Sequence, residues 1–183
     1  MLKVLKNGIF QILLMGMGIF VCMNMVSFGV HALSVNSSAP NFSLPDQDNR
    51  IHTLAEYRGK FVVLYFYPKD DTSICTKQAQ AIRDHYDEFK ENDIMVLGIN
   101  YDSPASHKKF QQKLGLPFDL LSDSHKKTAK KYNAEGSWLF LWSVPARKTF
   151  IIDPEGVICA IMENVGIDSY AQRILSVIKE KKA

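Results

Sequence analysis

One cysteine of this 183-residue sequence stands where a thiol can be chemically active. Cys75 comes after the apolar run Phe61–Tyr67, which stops at Pro68, and it opens a segment with the apolar spacing of a helix. Unpaired backbone N–H groups and the helix dipole at such a position stabilise a thiolate, the nucleophilic form of cysteine. Thr72 lies three residues earlier, so its hydroxyl could donate to the sulfur or to a bound oxygen. From position alone, however, a buried and unreactive cysteine is the commoner case.

The spacing of these residues favours the reactive interpretation. The pattern P-x-x-x-T-x-x-C resembles the active-site signature of the peroxiredoxins, which are thiol peroxidases. The segment 65–77 is most similar to their bacterioferritin-comigratory-protein-like subfamily, and the segment that begins at Arg147 is similar to the family's arginine-bearing strand. The resemblance covers practically the whole chain beyond residue 40 and implies a thioredoxin-like fold.

This resemblance implies a role for each residue of the pattern. Cys75 would be the peroxidatic cysteine, which attacks the terminal oxygen of a hydroperoxide, becomes a sulfenic acid and releases water or an alcohol. Arg147 keeps its charge at any working pH, so beside the sulfur it would favour the thiolate and donate hydrogen bonds to the peroxide. Thr72 would contribute its hydroxyl, and Pro68 would line the substrate site and shield the sulfur from bulk water. Without the resemblance, Arg147 would equally suit a surface position at the start of a strand.

The sequence departs from the subfamily pattern near the cysteine. Related proteins often carry a second, resolving cysteine five residues after the first, where this chain has Gln80. Gln78 replaces the usual glutamate, and Ser73-Ile74 replaces the usual Pro-Gly. Cys159 lies in a predicted strand, which favours a structural cysteine over a resolving one. We therefore expect a one-cysteine cycle in which a low-molecular-weight thiol or a thioredoxin-like donor reduces the sulfenic acid.

Two other functions use a similar cysteine. A thiol–disulfide oxidoreductase of the same fold would normally carry Cys-x-x-Cys, but no cysteine lies within four residues of Cys75. A redox-sensing or metal-binding module would need a second soft ligand nearby, and it would give Thr72 and Arg147 no reason to lie together. The peroxidase requires no metal or organic cofactor. The five histidines, at positions 31, 52, 85, 107 and 125, show no paired ligand spacing and are expected to be hydrogen-bonded or surface residues.

The elements that must position these residues alternate between strands and helices. The fold class is α/β, with a central mixed β-sheet flanked by helices and an N-terminal β-hairpin. Strands are predicted at 41–44, 51–54, 61–67, 94–101, 118–121, 149–153 and 157–162, and helices at 75–90, 104–114, 124–132 and 168–179. The apolar segment 137–143 is consistent with core packing or a self-association surface. Alternatively, it forms an apolar wall beside the pocket that favours lipid or aromatic hydroperoxides.

The first 32 residues have the composition of an export signal. They contain Lys3 and Lys6 but no Asp, Glu or Arg, and the stretch Gly8–Val30 is mostly apolar. Cleavage after Ala32 is the first expectation, and an uncleaved membrane anchor is the alternative, since about 20 apolar residues can span a bilayer. Either arrangement exports the domain, as a periplasmic or secreted protein or one anchored to the membrane.

Residues 33–183 then form one domain. Removing the 32 leader residues and their two lysines leaves 151 residues and lowers the formal charge from +3 to +1. A nearly neutral chain that interleaves both signs is not expected to bind nucleic acid. Its two cysteines are too few for a disulfide scaffold. We expect a monomer or a weak homodimer.

Overall fold

The computed structural model describes residues 33–138, 142–163 and 166–182. The predicted leader, its cleavage site and its alternative as a membrane anchor lie outside these residues. Within them, no helix combines the length and the apolar character needed to cross a bilayer.

The described residues form nine strands and five α-helices. The strands are β1 (Ser43–Pro45), β2 (Ile51–Thr53), β3 (Phe61–Phe66), β4 (Ile94–Asn100), β5 (Asp119–Ser122), β6 (Glu135–Trp138), β7 (Trp142–Pro145), β8 (Lys148–Ile152) and β9 (Ile158–Glu163). The helices are α1 (Ser73–Arg83), α2 (Tyr86–Glu91), α3 (Pro104–Leu114), α4 (Lys127–Lys131) and α5 (Tyr170–Lys182), with short 3-10 segments at Leu54–Tyr57 and Ile167–Ser169.

The central sheet is mixed, as predicted. Its strand order is β5-β4-β3-β8-β9, in which β3, β4 and β5 are parallel while β8 runs antiparallel to both β3 and β9. The predicted N-terminal hairpin is confirmed as the separate antiparallel pair β1–β2. A third sheet, the two-stranded pair β6–β7, was not predicted, because the apolar character of this segment suggested a packing or pocket surface.

Strand β3 lies at the centre of the sheet and is buried on both faces. Val63 and Tyr65 pack in a core that includes side chains of α1, α2, α3 and α5, whereas Val62, Leu64 and Phe66 pack with side chains of the β1–β2 hairpin and of α4. This explains why the sequence of β3 is continuously apolar and does not alternate with polar residues. The carboxyl end of β3 is thereby fixed by packing from both sides.

The single helix predicted over residues 75–90 is wrong, because the structure divides it into α1 and α2. The break occurs at Asp84 and His85, without glycine or proline. The imidazole Nδ1 of His85 hydrogen-bonds the carbonyl of Ala81, which a continuous helix would pair with the backbone N–H of residue 85. That backbone N–H instead donates to Ile82. The His85 side chain therefore replaces one backbone hydrogen bond of the helix at the point where the chain turns.

Candidate active site

Cys75 occupies the first turn of α1, as predicted. Pro68 follows the end of β3, and the chain crosses a short loop before Thr72, the extended residue that precedes the helix. The backbone N–H groups of the first turn of this 11-residue helix have no partner within the helix, so they favour negative charge at its N-terminus. Cys75 is 2% exposed. The sulfur is thus held in a largely desolvated position at the positive end of a helix.

Arg147 reaches this sulfur because of the strand register. Strand β8 pairs antiparallel with β3, with Lys148 opposite Phe66, so Arg147 lies just beyond the carboxyl end of β3. Its Nη2 donates to Sγ of Cys75 at 3.3 Å, and its Nη1 donates to Oε1 of Gln78. A permanently charged group therefore contacts the thiol directly.

Gln78 lies one helical turn after Cys75 and holds the other side of the guanidinium. Its side chain is fully buried, and its Nε2 has no hydrogen-bond partner among the described residues. Since an amide carries no charge, Gln78 orients Arg147 without neutralising it. Tyr170 of α5 is hydrogen-bonded to Thr149. Burial raises the pKa of Tyr170 to about 12, although that bond, Gln78 and the charge of Arg147 oppose the shift. The phenol therefore stays protonated at neutral pH.

Thr72 makes a different hydrogen bond from the predicted one. Its Oγ1 donates to the backbone carbonyl of Lys69 at 3.1 Å and not to the sulfur. A hydroxyl whose proton is used in this way still has lone pairs that can accept a hydrogen bond. In this geometry Thr72 can serve as an acceptor for a ligand beside Cys75.

All four predicted site residues line one cavity of about 470 Å³. Two parts of the chain line this cavity. Pro68, Thr72, Ile74 and Cys75 come from the end of β3 and the start of α1, and Gly136, Val144, Pro145 and Arg147 come from the β6–β7 hairpin and the residues before β8. The apolar members include Ile74, which is 56% exposed. The cavity therefore combines a thiol, a guanidinium and a hydroxyl with an apolar entrance.

The hairpin β6–β7, which was not predicted as a strand pair, supplies part of the cavity lining. Gly136 allows a close approach of two backbones there, since a Cβ at this position would lie 2.9 Å from the backbone nitrogen of Ala146. The side chains of Trp138 and Trp142, and residues 139–141, lie outside the described residues. Of the segment predicted as an apolar wall, Ser137 lines the cavity, whereas the apolar lining residues Val144 and Pro145 follow that segment. The apolar wall over residues 137–143 therefore stays a prediction.

Cys159, the other cysteine of the described chain, is placed elsewhere on the sheet. Ile152 pairs with Ile158 and Ile151 pairs with Ala160, so Cys159 is the extra residue of a β-bulge. Its thiol donates to the carbonyl of Ile151 at 3.3 Å, and burial, reinforced by the nearby Asp153 carboxylate, raises its pKa. These surroundings disfavour the thiolate that a resolving cysteine needs.

The pairing of β8 with β3 and β9 also places the two cysteines at different positions along the sheet. Cys159 lies level with Ile151, whose partner on β3 is Val63, whereas Cys75 lies beyond Phe66 at the other end of that strand. Three strand residues span about 10 Å. A disulfide requires Cα atoms within about 7 Å of one another. Both cysteines are free in the structure, and this separation along the sheet disfavours a bridge between them.

One group of potential metal ligands within the described ranges was not predicted from the sequence. Asp46, His52 and Asp119 lie together, with His52 Nε2 2.9 Å from an oxygen of Asp46 and 4.0 Å from one of Asp119. His52 Nδ1 also hydrogen-bonds Tyr57, and the other oxygen of Asp119 accepts from Gln47 at 2.7 Å. None of these residues lines the cavity beside Cys75. Hydrogen bonding between the β1–β2 hairpin and β5 accounts for the cluster, which was missed because Asp119 is distant in sequence.

Comparison with known proteins gives a consistent result. Residues 35–161 match the family model described as the AhpC/TSA family. A chloroplastic peroxiredoxin Q of Oryza sativa subsp. japonica is 45% identical over 132 residues, which are 72% of this chain and 60% of the rice protein. A peroxiredoxin named bcp from Coxiella burnetii is 37% identical over 147 residues, covering 79% of this chain and 97% of that protein. The matched region thus spans less than two thirds of the rice relative and nearly all of the bacterial one.

Solved structures show the same fold. Peroxidoxin BcpB from Mycobacterium tuberculosis superimposes with a TM-score of 0.76 at 27% identity, covering 83% of this chain and all of that one. A PrxQ variant from Xylella fastidiosa gives a TM-score of 0.78 at 26% identity, covering 83% and 99% of the two chains. The predicted thioredoxin-like fold is confirmed. The chain therefore belongs to the AhpC/TSA family and is a peroxiredoxin related to the PrxQ and Bcp proteins.

Proposed function

We propose that this protein is a thiol peroxidase that reduces hydrogen peroxide and organic hydroperoxides at Cys75. The observation that carries the proposal is the 3.3 Å contact between Nη2 of Arg147 and Sγ of Cys75, at a helix N-terminus and on the wall of a cavity. A thiolate stabilised from two directions and open to a small ligand is suited to nucleophilic attack.

In the reaction, the thiolate of Cys75 attacks the terminal hydroperoxide oxygen. An S–O bond forms while the O–O bond breaks, so the sulfur is oxidised to a sulfenic acid and the remaining oxygen leaves as alkoxide or hydroxide. That oxygen takes up a proton and departs as an alcohol or as water. Arg147 stabilises the thiolate before the attack and the negative charge on the leaving oxygen during it. Thr72, whose own proton is directed to Lys69, accepts a hydrogen bond from the terminal O–H of the hydroperoxide and orients it.

We further propose that the cycle uses Cys75 alone. Gln80 occupies the position of a local resolving cysteine, and Cys159 lies in a bulge at the far end of the sheet. The sulfenic acid would then be reduced by a low-molecular-weight thiol or a thioredoxin-like protein. Attack by the external thiol forms a mixed disulfide and releases water, and a second thiol restores Cys75.

The apolar lining of the cavity supports activity on organic hydroperoxides. Ile74, Val144 and Pro145 contribute apolar surface to the cavity that Cys75 also lines, and a small polar peroxide does not need such surface. A related solved protein, the bacterioferritin comigratory protein of Xanthomonas campestris, is described as having alkyl peroxide reduction activity. We propose that organic hydroperoxides with an apolar group are substrates here as well.

Mass spectrometry of the full chain, treated with hydrogen peroxide in the absence of reductant, tests the proposed chemistry. Peptides containing Cys75 should carry one added oxygen, or the adduct of a reagent that traps sulfenic acids. The variant Cys159→Ser should behave in the same way. A Cys75–Cys159 disulfide in the treated wild type would refute the one-cysteine cycle, and an unmodified Cys75 would refute the peroxidase itself.

The composition of residues 1–32 supports export, so we propose a periplasmic or secreted protein with a cleaved signal peptide or a retained membrane anchor. Cell fractionation with sequencing of the mature N-terminus distinguishes these locations. A monomer or weak homodimer is proposed for the solution state, and sedimentation velocity over a concentration series tests it.

A further inference from the structure

We propose that Asp70 is a positioning residue for peroxide reduction, and that it holds the loop between Pro68 and Thr72 in register with Cys75. The inference rests on the proposed peroxidase function, because it concerns how the hydroperoxide is oriented at that site. The carboxylate of Asp70 is anchored by α3, chiefly through Ser106 and His107, which have no contact with the cavity.

The carboxylate of Asp70 accepts hydrogen bonds from four different side chains. One oxygen accepts from the hydroxyl of Tyr67 at 2.7 Å and from Nδ2 of Asn100 at 3.0 Å. The other accepts from Oγ of Ser106 at 2.7 Å and from Nδ1 of His107 at 3.0 Å. The side chain of Asp70 is buried, and its donors come from the ends of β3 and β4 and from the first turn of α3.

The backbone of Asp70 is held as well. Its N–H donates to a carboxylate oxygen of Asp102 at 2.8 Å, and that oxygen also accepts from Asn100. Burial alone would raise the pKa of Asp70, but hydrogen bonds from His107, Ser106 and Tyr67 lower it below its ordinary value. The residue is therefore an ionised anchor fixed in two directions.

The other residues of the loop between Pro68 and Thr72 make few stabilising contacts. Lys69 and Asp71 are exposed, and Asp71 makes a surface ion pair with Lys113 at 2.8 Å. Exposed pairs of this kind contribute little rigidity. Thr72 donates to the carbonyl of Lys69, so the position of its hydroxyl depends on the loop backbone on either side of Asp70. Movement of Asp70 would shift the acceptor that orients the hydroperoxide.

His107 is consistent with this assignment. Its side chain is fully buried, and Nε2 has no hydrogen-bond partner within the described residues. An unsatisfied nitrogen in the core is unfavourable, and an apolar residue there would avoid it. What the imidazole supplies, and an apolar residue would not, is the Nδ1–H donated to Asp70.

Two rates measured on the full chain separate positioning from general damage. The reaction of Cys75 with hydrogen peroxide requires an oriented peroxide, whereas its alkylation by iodoacetamide requires only an accessible thiolate. In Asp70→Asn, which keeps the size of the side chain, we expect the peroxide rate constant to fall about tenfold or more. The alkylation rate of Cys75 should change less than about twofold, since Arg147 stays in place.

Ser106→Ala removes one of the four side-chain donors and is expected to fold normally, with a peroxide rate constant lowered about threefold. The matched control is Asp71→Asn, the neighbouring acid in the same loop, which should leave both rates unchanged. The positioning role would be overturned if Asp70→Asn slowed the peroxide reaction and the alkylation equally. It would also be overturned if neither Asp70→Asn nor Ser106→Ala slowed the peroxide reaction. If the wild type itself shows no rapid peroxide reaction, the proposed function fails first and the inference falls with it.

Discussion

Arg147 Nη2 lies 3.3 Å from Sγ of Cys75, although the two residues are 72 positions apart in the sequence. The contact depends on β8 running antiparallel to β3, which brings the start of one strand to the end of the other. Gln78 holds the second nitrogen of the same guanidinium from within α1. The thiol and its charge partner are thus placed by two adjacent strands of the central sheet and by the helix that follows β3.

Replacing Arg147 with glutamine should slow both reactions of Cys75. The loss of a fixed positive charge disfavours the thiolate, and the loss of a donor destabilises the leaving oxygen, so we expect the peroxide rate constant to fall about 100-fold. Stopped-flow kinetics and iodoacetamide alkylation measure the two effects. Lys148→Met is the matched control, because Lys148 is the adjacent cation but pairs with Glu163 at the surface. An Arg147→Gln variant with wild-type rates would show that the contact has no role.

The hydroxyl of Thr72 should matter for peroxides and not for other electrophiles. Thr72→Val keeps the shape of the side chain but removes the acceptor, so we expect a fall of about tenfold or more in the peroxide rate constant. Alkylation of Cys75 should stay close to that of the wild type. Thr72→Ser restores the hydroxyl and should recover most of the lost rate. A valine variant that reduces peroxide normally would remove Thr72 from the mechanism.

The apolar entrance should influence substrate preference. Ile74→Ser removes apolar surface from the cavity. If the substrate loses apolar contact equal to one buried methylene, about 0.8 kcal/mol, its rate constant falls about fourfold. We expect this decrease for cumene hydroperoxide and no decrease for hydrogen peroxide. Val35→Ser changes another exposed apolar residue that does not line the cavity and serves as the control. An unchanged ratio of the two rates in Ile74→Ser would count against an apolar substrate site.

Asp46 should contribute to stability at neutral pH but not in acid. Burial alone would raise its pKa, but hydrogen bonds from His52 and from the backbone N–H groups of Arg50 and Asp48 lower it. A carboxyl whose pKa is depressed by folding stabilises the protein above its unfolded pKa, and this contribution is lost as the pH falls through the folded value. Asp46→Asn should therefore lower the melting temperature at pH 7 and much less at pH 3.

Thermal unfolding at the two pH values measures this difference. Asp48→Asn is the control, since Asp48 is exposed and pairs with Lys108 at the surface. Its melting temperature should change little at either pH. Equal losses for Asp46→Asn at pH 7 and pH 3 would contradict the assignment of Asp46 as a stabilising ionised group.

Local patterns predicted the elements whose determinants are local. The unbroken apolar run of β3 indicated a strand covered on both faces, and Pro104 and Gly115 indicated the ends of α3, whose predicted bounds of 104–114 are confirmed. The break between α1 and α2 was not predictable in this way, because helical periodicity continues through it and the hydrogen bond between the His85 side chain and Ala81 leaves no sequence pattern.

The site was also predictable only in part, because some of its residues are placed by contacts between distant parts of the chain. The helix-start position of Cys75 follows from the sequence, but the proximity of Arg147 came from family resemblance, since it depends on strand register. Asp70 and Asp71 are identical neighbours in sequence, yet one is buried and the other is exposed. What distinguishes them is Asn100 and His107, which lie 30 and 37 positions away. Such distant contacts leave no local pattern.

The most direct test of the central claim is stopped-flow mixing of the reduced full chain with one equivalent of hydrogen peroxide, followed by counting of free thiols. We predict rapid loss of one thiol in the wild type and in Cys159→Ser, and no rapid loss in Cys75→Ser. If Cys75 reacts no faster than free cysteine, the claim that this site is built to reduce peroxides is contradicted.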